Sequence, residues 1–313
     1  MAGNGIRIEW LNAFSVLPYA GMAFPSHQRA LAFASRDGPY IAVGAAREGA
    51  PIGLAFGNVS GQLPEVLSLF VSKSERGQGV GTELLARLES GMGRLGARTL
   101  RCGFMDKAEQ SAALVRVLRK RGWSEPVPHK LFAKFTIARM LEAPFMRAYE
   151  LPPAFRIEFW RNLTAGQRAA LLGECESGGW IPPSLNPFVY EPGLEERNSL
   201  VLLADERVVG WQLTQRLQPQ VLTYSCSYMH PRLQRRGFIF NLYVQSVRLQ
   251  ARDIPEIPSA CLVAPMDLDP MVAFVRRRFG PFLSEMKMIF QSIKTCVDPE
   301  DNAPAHPPPT ASS

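Results

Sequence analysis

Arg76-Gly77-Gln78-Gly79-Val80-Gly81-Thr82 is the stretch of this chain whose residue types and spacing point most directly to chemistry. The apolar run Val66-Leu67-Ser68-Leu69-Phe70-Val71 precedes it, and a segment of helical period, residues 83–95, follows. A strand that breaks into a glycine-rich turn and then opens a helix is a phosphate-binding device. The glycines let the backbone come close to an anion. The first free N–H groups of the helix point at that anion, and the helix dipole favours its charge. The amides from Gln78 to Thr82 would supply several donors at once, with Arg76 as an organising cation.

A second polar stretch, Thr223-Tyr224-Ser225-Cys226-Ser227-Tyr228, lies in the other half of the chain. A structural strand would more often alternate apolar residues. Strict alternation puts Tyr224, Cys226 and Tyr228 on one face, where they form either a substrate-recognition surface or a packed layer with satisfied hydroxyls. His230-Pro231 reads as a structural turn. His27, His129 and His306 form no metal-ligand spacing. The five cysteines are odd in number, far apart and without a C-x-x-C pair, so reduced thiols are expected and neither a disulfide framework nor a zinc site.

The composition narrows the class. Hydrophobic residues make up 46% and charged residues 20%, which predicts a packed core. No apolar run approaches the roughly 18 residues of a membrane span, and residues 1–10 lack the pattern of a secretory signal. A cytoplasmic protein with no membrane partner is expected. The net charge of +7 is modest and its basic residues are scattered, apart from residues 116–121 and Arg276-Arg277-Arg278. No continuous basic stripe for nucleic acid is visible. Oligomeric state is left open.

The elements that must position the glycine turn follow from local pattern. Strands are expected at 6–10, 40–45, 52–57, 66–71, 99–104 and 130–135, with helices at 83–95 and 108–121, the second closed by Gly122. A mixed segment, 138–154, reads as a linker. Strands follow at 155–160, 198–204, 208–214, 221–229, 261–263 and 287–291, and helices at 163–172, 238–251 and 271–279. Residues 297–313, rich in Pro, Ala and Ser, are expected to be disordered.

The halves repeat one another. Gly79 and Gly237 are 158 positions apart, as are Gly122 and Gly280; the same interval pairs Arg76 with Gln234, Val71 with Met229 and Leu131 with Ile289. Gly53 meets Gly210 at 157. This is an internal duplication. It predicts a first domain over 1–137, a linker over 138–154, a related second domain over 155–296 and a tail over 297–313.

Strand, Arg-Gly-Gln-Gly-Val-Gly-Thr, helix, strand, and a helix ending in Gly-aromatic resembles the GCN5-related N-acetyltransferase superfamily. Residues 5–136 carry the likeness well, and 155–292 carry it weakly through the duplication. It implies an α/β (α+β) fold of two tandem domains, each a mixed, mostly antiparallel sheet flanked by helices. The family's acyl-CoA signature is complete in Arg76, Gly79 and Gly81, and Leu69-Phe70-Val71 resembles its splayed strand, whose backbone pairs with the pantetheine arm. The resemblance implies acetyl-CoA or another acyl-CoA as co-substrate, and transfer to a primary amine of a small molecule or peptide. A non-catalytic CoA-binding protein and a tRNA-dependent aminoacyl transferase are the alternatives. The family's usual tyrosine acid falls at Leu118 and its helix asparagine at Ser111. Glu65 and Ser68 are the candidate polar groups on the strand. In the second copy Ile239 replaces the last glycine, which predicts poor CoA binding there.

Overall fold

The computed structural model describes residues 5–60, 63–106, 109–147 and 150–296. The tail expected at 297–313 lies outside them. In chain order the main elements are β1 (Ile6–Leu11), α1 (Gln28–Leu31), β2 (Tyr40–Arg47), β3 (Ala50–Asn58), β4 (Glu65–Val71), α2 (Val80–Arg94), β5 (Thr99–Met105), α3 (Glu109–Lys120), β6 (Val127–Thr136) and α4 (Ile137–Leu141). Then come β7 (Phe155–Phe159), α5 (Ala165–Glu176), β8 (Leu200–Ala204), β9 (Arg207–Gln218), β10 (Val221–Met229), α6 (Phe238–Asp253), β11 (Ser259–Pro265), α7 (Asp269–Phe274) and β12 (Glu285–Thr295).

These elements form two compact units, the second holding most of β6 and the first holding the end of β12. The first unit takes the described residues up to Pro128 and those from Phe290 onward; the second runs from His129 to Ile289. The first unit's sheet has the order β1-β2-β3-β4-β5, followed by the end of β12. The second unit's sheet begins with the start of β12 and continues β6-β11-β10-β9-β8-β7. Among the registered pairs, β4–β5 and β10–β11 are parallel and the rest antiparallel.

The boundaries expected at 137 and 155 therefore differ from the compact units. β6 pairs in register with β11, Phe135 opposite Ala260, and buries Leu131, Ala133 and Phe135 in the second unit's core. The stretch expected as a linker also belongs there. Ile137, Met140, Phe145 and Met146 are buried in the same core, against residues such as Tyr243 and Phe279. Within that stretch Pro144 opens the 3-10 turn Pro144–Met146.

In the first unit α2 presents Leu84, Leu85, Leu88 and Met92 at helical spacing to Ile41, Val43 and Ala55 of the sheet. Tyr19, Leu31, Leu54 and Phe56 pack on the opposite face. The β2–β3 turn has positive φ at Glu48 (51°) and Gly49 (83°), and its counterpart in the β8–β9 turn has positive φ at Asp205 (46°) and Glu206 (66°). Two positive φ values in a two-residue hairpin match the twist of the flanking strands.

Acid sensitivity is built into the second unit at Glu195. Its carboxylate accepts from Arg197 Nε at 2.8 Å and Arg216 Nη2 at 2.6 Å. Burial would raise its pKa, but those hydrogen bonds outweigh it and hold the group at about 2, against an ordinary 4.5. A depressed carboxylate pKa stabilises the fold above its unfolded value and loses that contribution as the pH falls through the folded one. Unfolding midpoints measured from pH 6 to pH 2 are expected to drop between about 4.5 and 2. In Glu195→Gln that portion of the slope should be missing; an unchanged slope would refute the assignment.

Candidate functional site

The glycine turn sits where the sequence puts it. Gly77 and Gly79 have left-handed φ, 82° and 85°, and an added Cβ at either would meet nothing within 4 Å. Conformation, not crowding, demands glycine at these two positions. Gly79 caps α2, and no side chain bonds to the helix's first amides. The N–H groups that open α2, at Val80, Gly81 and Thr82, have no acceptor within the helix.

Two side chains brace the turn. Arg76 Nε donates to the carbonyl of Val71 at 3.0 Å, tying the turn back to the end of β4. Arg47, at the end of β2, reaches Glu75 at 2.7 Å and Gln78 Oε1 at 3.1 Å. Gly81 lies in the first turn of α2. A Cβ there would meet only Val71 Cγ2 at 3.4 Å and Val117 Cγ2 at 3.9 Å, which is ordinary contact. Nothing in the protein itself needs a glycine at 81.

Among the described residues β4 and β5 pair at Glu65–Arg101 and Val66–Cys102 alone. Beyond Val66 the strands part. Leu69, Phe70 and Val71 keep their partners Ala55, Leu54 and Gly53 on β3, while no registered β5 partner occupies their other edge. The register against β3 shifts between Phe56 and Gly57, which makes Leu67 the extra residue of a β-bulge. Val66, Leu69 and Val71 face the α2 side, while Leu67 packs on the opposite one. The bulge at Leu67 thus falls just where β4 leaves β5.

The polar candidates have defined places. Glu65 Oε2 is 2.9 Å from Arg101 Nη2, at the level where β4 and β5 are still paired. Ser68 is buried and accepts from the Phe24 amide at 3.5 Å. Ser111 donates to Met105 O at 3.0 Å, tying α3 to the end of β5. It lines a cavity of about 460 Å³ with Phe104, Asp106, Arg116 and Phe290, away from Glu65 and Ser68. Leu118 is 2% exposed in the core, so no acid group occupies that helix position. Among the described residues no three His, Cys, Asp or Glu side chains could hold a metal ion.

The strand 223–228 departs from the expected alternation. Its register against β9 shifts between Tyr224 and Cys226, so Ser225 is a bulge residue at the position matching Leu67. Tyr224 faces the α6 side, stacked on Tyr243 at 6.1 Å with its hydroxyl on Gln250. Cys226 and Tyr228 face the other side, in the cluster with Trp211 and Trp160. Tyr224, Cys226 and Tyr228 do not share a face, because one inserted residue reverses every side chain after it. Burial pushes the Tyr224 phenol up and the Cys226 thiol up to about 12, so neither is ionised at neutral pH. The Tyr228 hydroxyl is taken by Trp180 O at 3.1 Å.

The second glycine turn keeps the frame and fills the space. Gly237 caps α6 with φ 82°, and Gln234 Nε2 donates to Met229 O at 3.0 Å, the counterpart of the Arg76–Val71 bond. Arg235, matching Gly77, is held at φ 67°. At the start of α6, Phe238 packs on Phe155 with ring centroids 4.7 Å apart, Phe240 packs on Phe145 at 5.8 Å, and Ile239 joins the core.

One group near the bulge carries no sequence signal. His27 lies in the 3-10 turn Pro25–His27, and its Nδ1 is 3.0 Å from the carbonyl of Leu67, the bulge residue. Forty positions separate the two, so no local spacing links them.

Known proteins share the fold. The profile of the acetyltransferase (GNAT) family matches residues 8–123. A tandem GNAT protein from the clavulanic acid biosynthesis pathway shares the fold with a TM-score of 0.69 at 15% identity, over 92% of this chain and 98% of its own. A GCN5-related N-acetyltransferase from Sphaerobacter thermophilus does so with a TM-score of 0.67 at 16% identity, over 94% and 97%. No curated protein matches the chain in sequence. No helix among the described residues is long and apolar enough to cross a membrane. Residues 8–123 thus carry the profile of the acetyltransferase (GNAT) family, and the chain shares the fold of a tandem GNAT protein over 92% of its length.

Proposed function

We propose that the protein is an N-acyltransferase that moves an acyl group, most simply acetyl, from acyl-CoA to a primary amine of a small molecule or peptide. One observation carries the reading: in the first unit the uncapped amides of α2 stand directly beside the unpaired edge of β4. The coenzyme would supply an activated acyl thioester. The amides from Gln78 to Thr82 would hold its diphosphate, with Arg76 bracing the turn and Gly81 leaving room. The free edge of Leu69, Phe70 and Val71 would hold its arm, as one more strand would be held. The parted strands would leave that arm at the level of Ser68 and the bulge.

The second unit is proposed as a scaffold without a coenzyme site of its own, since Phe238 and Ile239 fill the matching space. Leu118, buried where an acid would stand, favours one second reading, a protein that binds CoA without turning it over. Calorimetry with acetyl-CoA, then thiol release across a panel of primary amines, separates the two. One site per chain with thiol release is expected. An absence of heat would sink both readings, and heat without release from any amine would favour the second.

A further inference from the structure

We propose that His27 is the proton acceptor of the transfer, its Nε2 taking a proton from the incoming amine where β4 and β5 part; this rests on the acyl-transfer reading above. The position follows from the bulge. β4 leaves β5 after Val66, Leu67 is the next residue, and His27 Nδ1 is held 3.0 Å from the Leu67 carbonyl. A carbonyl oxygen only accepts, so Nδ1 carries the hydrogen and the neutral ring keeps its lone pair on Nε2. Nε2 has no hydrogen-bond partner among the described residues and is not enclosed. The ring is also fixed edge-on to Phe24, at 6.0 Å and 89°. Phe24 is 55% exposed, an apolar wall left open beside the base.

The other candidates are committed elsewhere. Glu65 is ion-paired with Arg101, and the Ser68 hydroxyl meets the Phe24 amide. Glu65 acts on His27 by its charge, and it is the charged group that faces the ring from β4, with Arg101 of β5 paired to it. Burial lowers the imidazole pKa below its ordinary value, while the Leu67 hydrogen bond and Glu65 pull the other way. The ring is therefore neutral at pH 7 and ready to accept.

The step balances. An ammonium R–NH3+ gives one proton to Nε2, and the freed lone pair forms the C–N bond. The C–S bond breaks and its electron pair leaves on sulfur. Nitrogen sheds a second proton as the amide forms. Of the two protons, one ends on the thiol and one in water, which returns His27 to its neutral form.

Diethyl pyrocarbonate, which carbethoxylates neutral imidazole, tests this on the full chain, with His27 and His230 followed by peptide mass spectrometry and acetyl-CoA binding by calorimetry on the same sample. His27 should react along a titration curve centred below 6.5. Saturating acetyl-CoA should slow it about tenfold or more and leave His230 unchanged. His27→Gln should bind acetyl-CoA within about twofold of wild type, lose about a hundredfold or more in kcat with the best amine of the panel, and lose the acidic limb of the pH profile. Acetyl-CoA binding without protection of His27, or a His27→Gln variant with unchanged kcat and pH profile, overturns the base and leaves the acyl-transfer reading standing. No acetyl-CoA binding overturns both.

Discussion

Gly81→Ala is expected to make the protein more stable and a poorer binder of acetyl-CoA. The two effects have different origins. In α2 an alanine replaces the least favourable ordinary helix residue with the most favourable one, a gain of up to about 1 kcal/mol. The new methyl meets Val71 and Val117 at 3.4 and 3.9 Å, so the fold accepts it without rearrangement. The same position lies in the first turn of α2, whose amides form the proposed diphosphate cradle. A methyl there would hold a diphosphate off those amides, and each charge-assisted hydrogen bond lost costs about 1.5–3 kcal/mol. Affinity should fall about tenfold or more for alanine, and beyond detection for Gly81→Arg. Ile239→Gly, the matching change in the second unit, should create no second site. Thermal melting and calorimetry on the same samples read both signs. A Gly81→Ala variant that melts higher and binds acetyl-CoA as well as wild type would move the coenzyme away from this turn.

That glycine turn was the most legible part of the chain, because its signals are local. Three glycines at alternate positions between an apolar strand and a helical segment predict its conformation without tertiary knowledge. The duplication was legible too, through fixed intervals, and the structure gives it physical content. Arg76 and Gln234 make the same bond to the last residue of the preceding strand, and Gly79 and Gly237 cap the two following helices at the same φ.

What escaped the sequence was set by partners distant along the chain. Alternation places Tyr224 and Cys226 on one face only while no residue is inserted, and nothing in Ser225 itself announces a bulge. β6 looks like the closing strand of the first half in any arrangement, since its alternating apolar residues suit whichever sheet receives them. Its partner is β11, in the second unit. Residues 138–154 read as a linker because Pro144, Pro152 and Pro153 are visible, whereas the burial of Phe145 and Met146 depends on Phe279 and α6. His27 stayed hidden for the same reason, its partner being a carbonyl forty positions away.

The end of β12 held in the first unit also sets the largest stability effect expected there, at Glu89 on α2. Its side chain is 5% exposed. Oε1 accepts from Trp123 Nε1 at 2.6 Å, and Oε2 accepts from Arg121 Nη2 and Lys294 Nζ, each at 2.7 Å. One carboxylate thus ties α2 to the Gly122–Trp123 turn after α3 and to β12, the strand from the far end of the chain. Removing it strands two cations and a buried indole N–H. Breaking a buried pair from one side costs about 3–5 kcal/mol, so Glu89→Ala should lose that much in urea unfolding. Glu89→Gln keeps the volume and an acceptor for Trp123 but not the charge that balances Arg121 and Lys294, and should lose about half as much. Lys294→Met, which removes one cation and leaves Arg121 paired, should cost less than either. A Glu89→Ala loss below about 1 kcal/mol would mean that water reaches the cluster and screens it, as it does for exposed pairs. The binding consequence is specific as well. The cradle amides are fixed only as firmly as α2 is seated, so Glu89→Gln should weaken acetyl-CoA while touching no part of it, by less than Gly81→Arg and without the gain in melting temperature expected for Gly81→Ala.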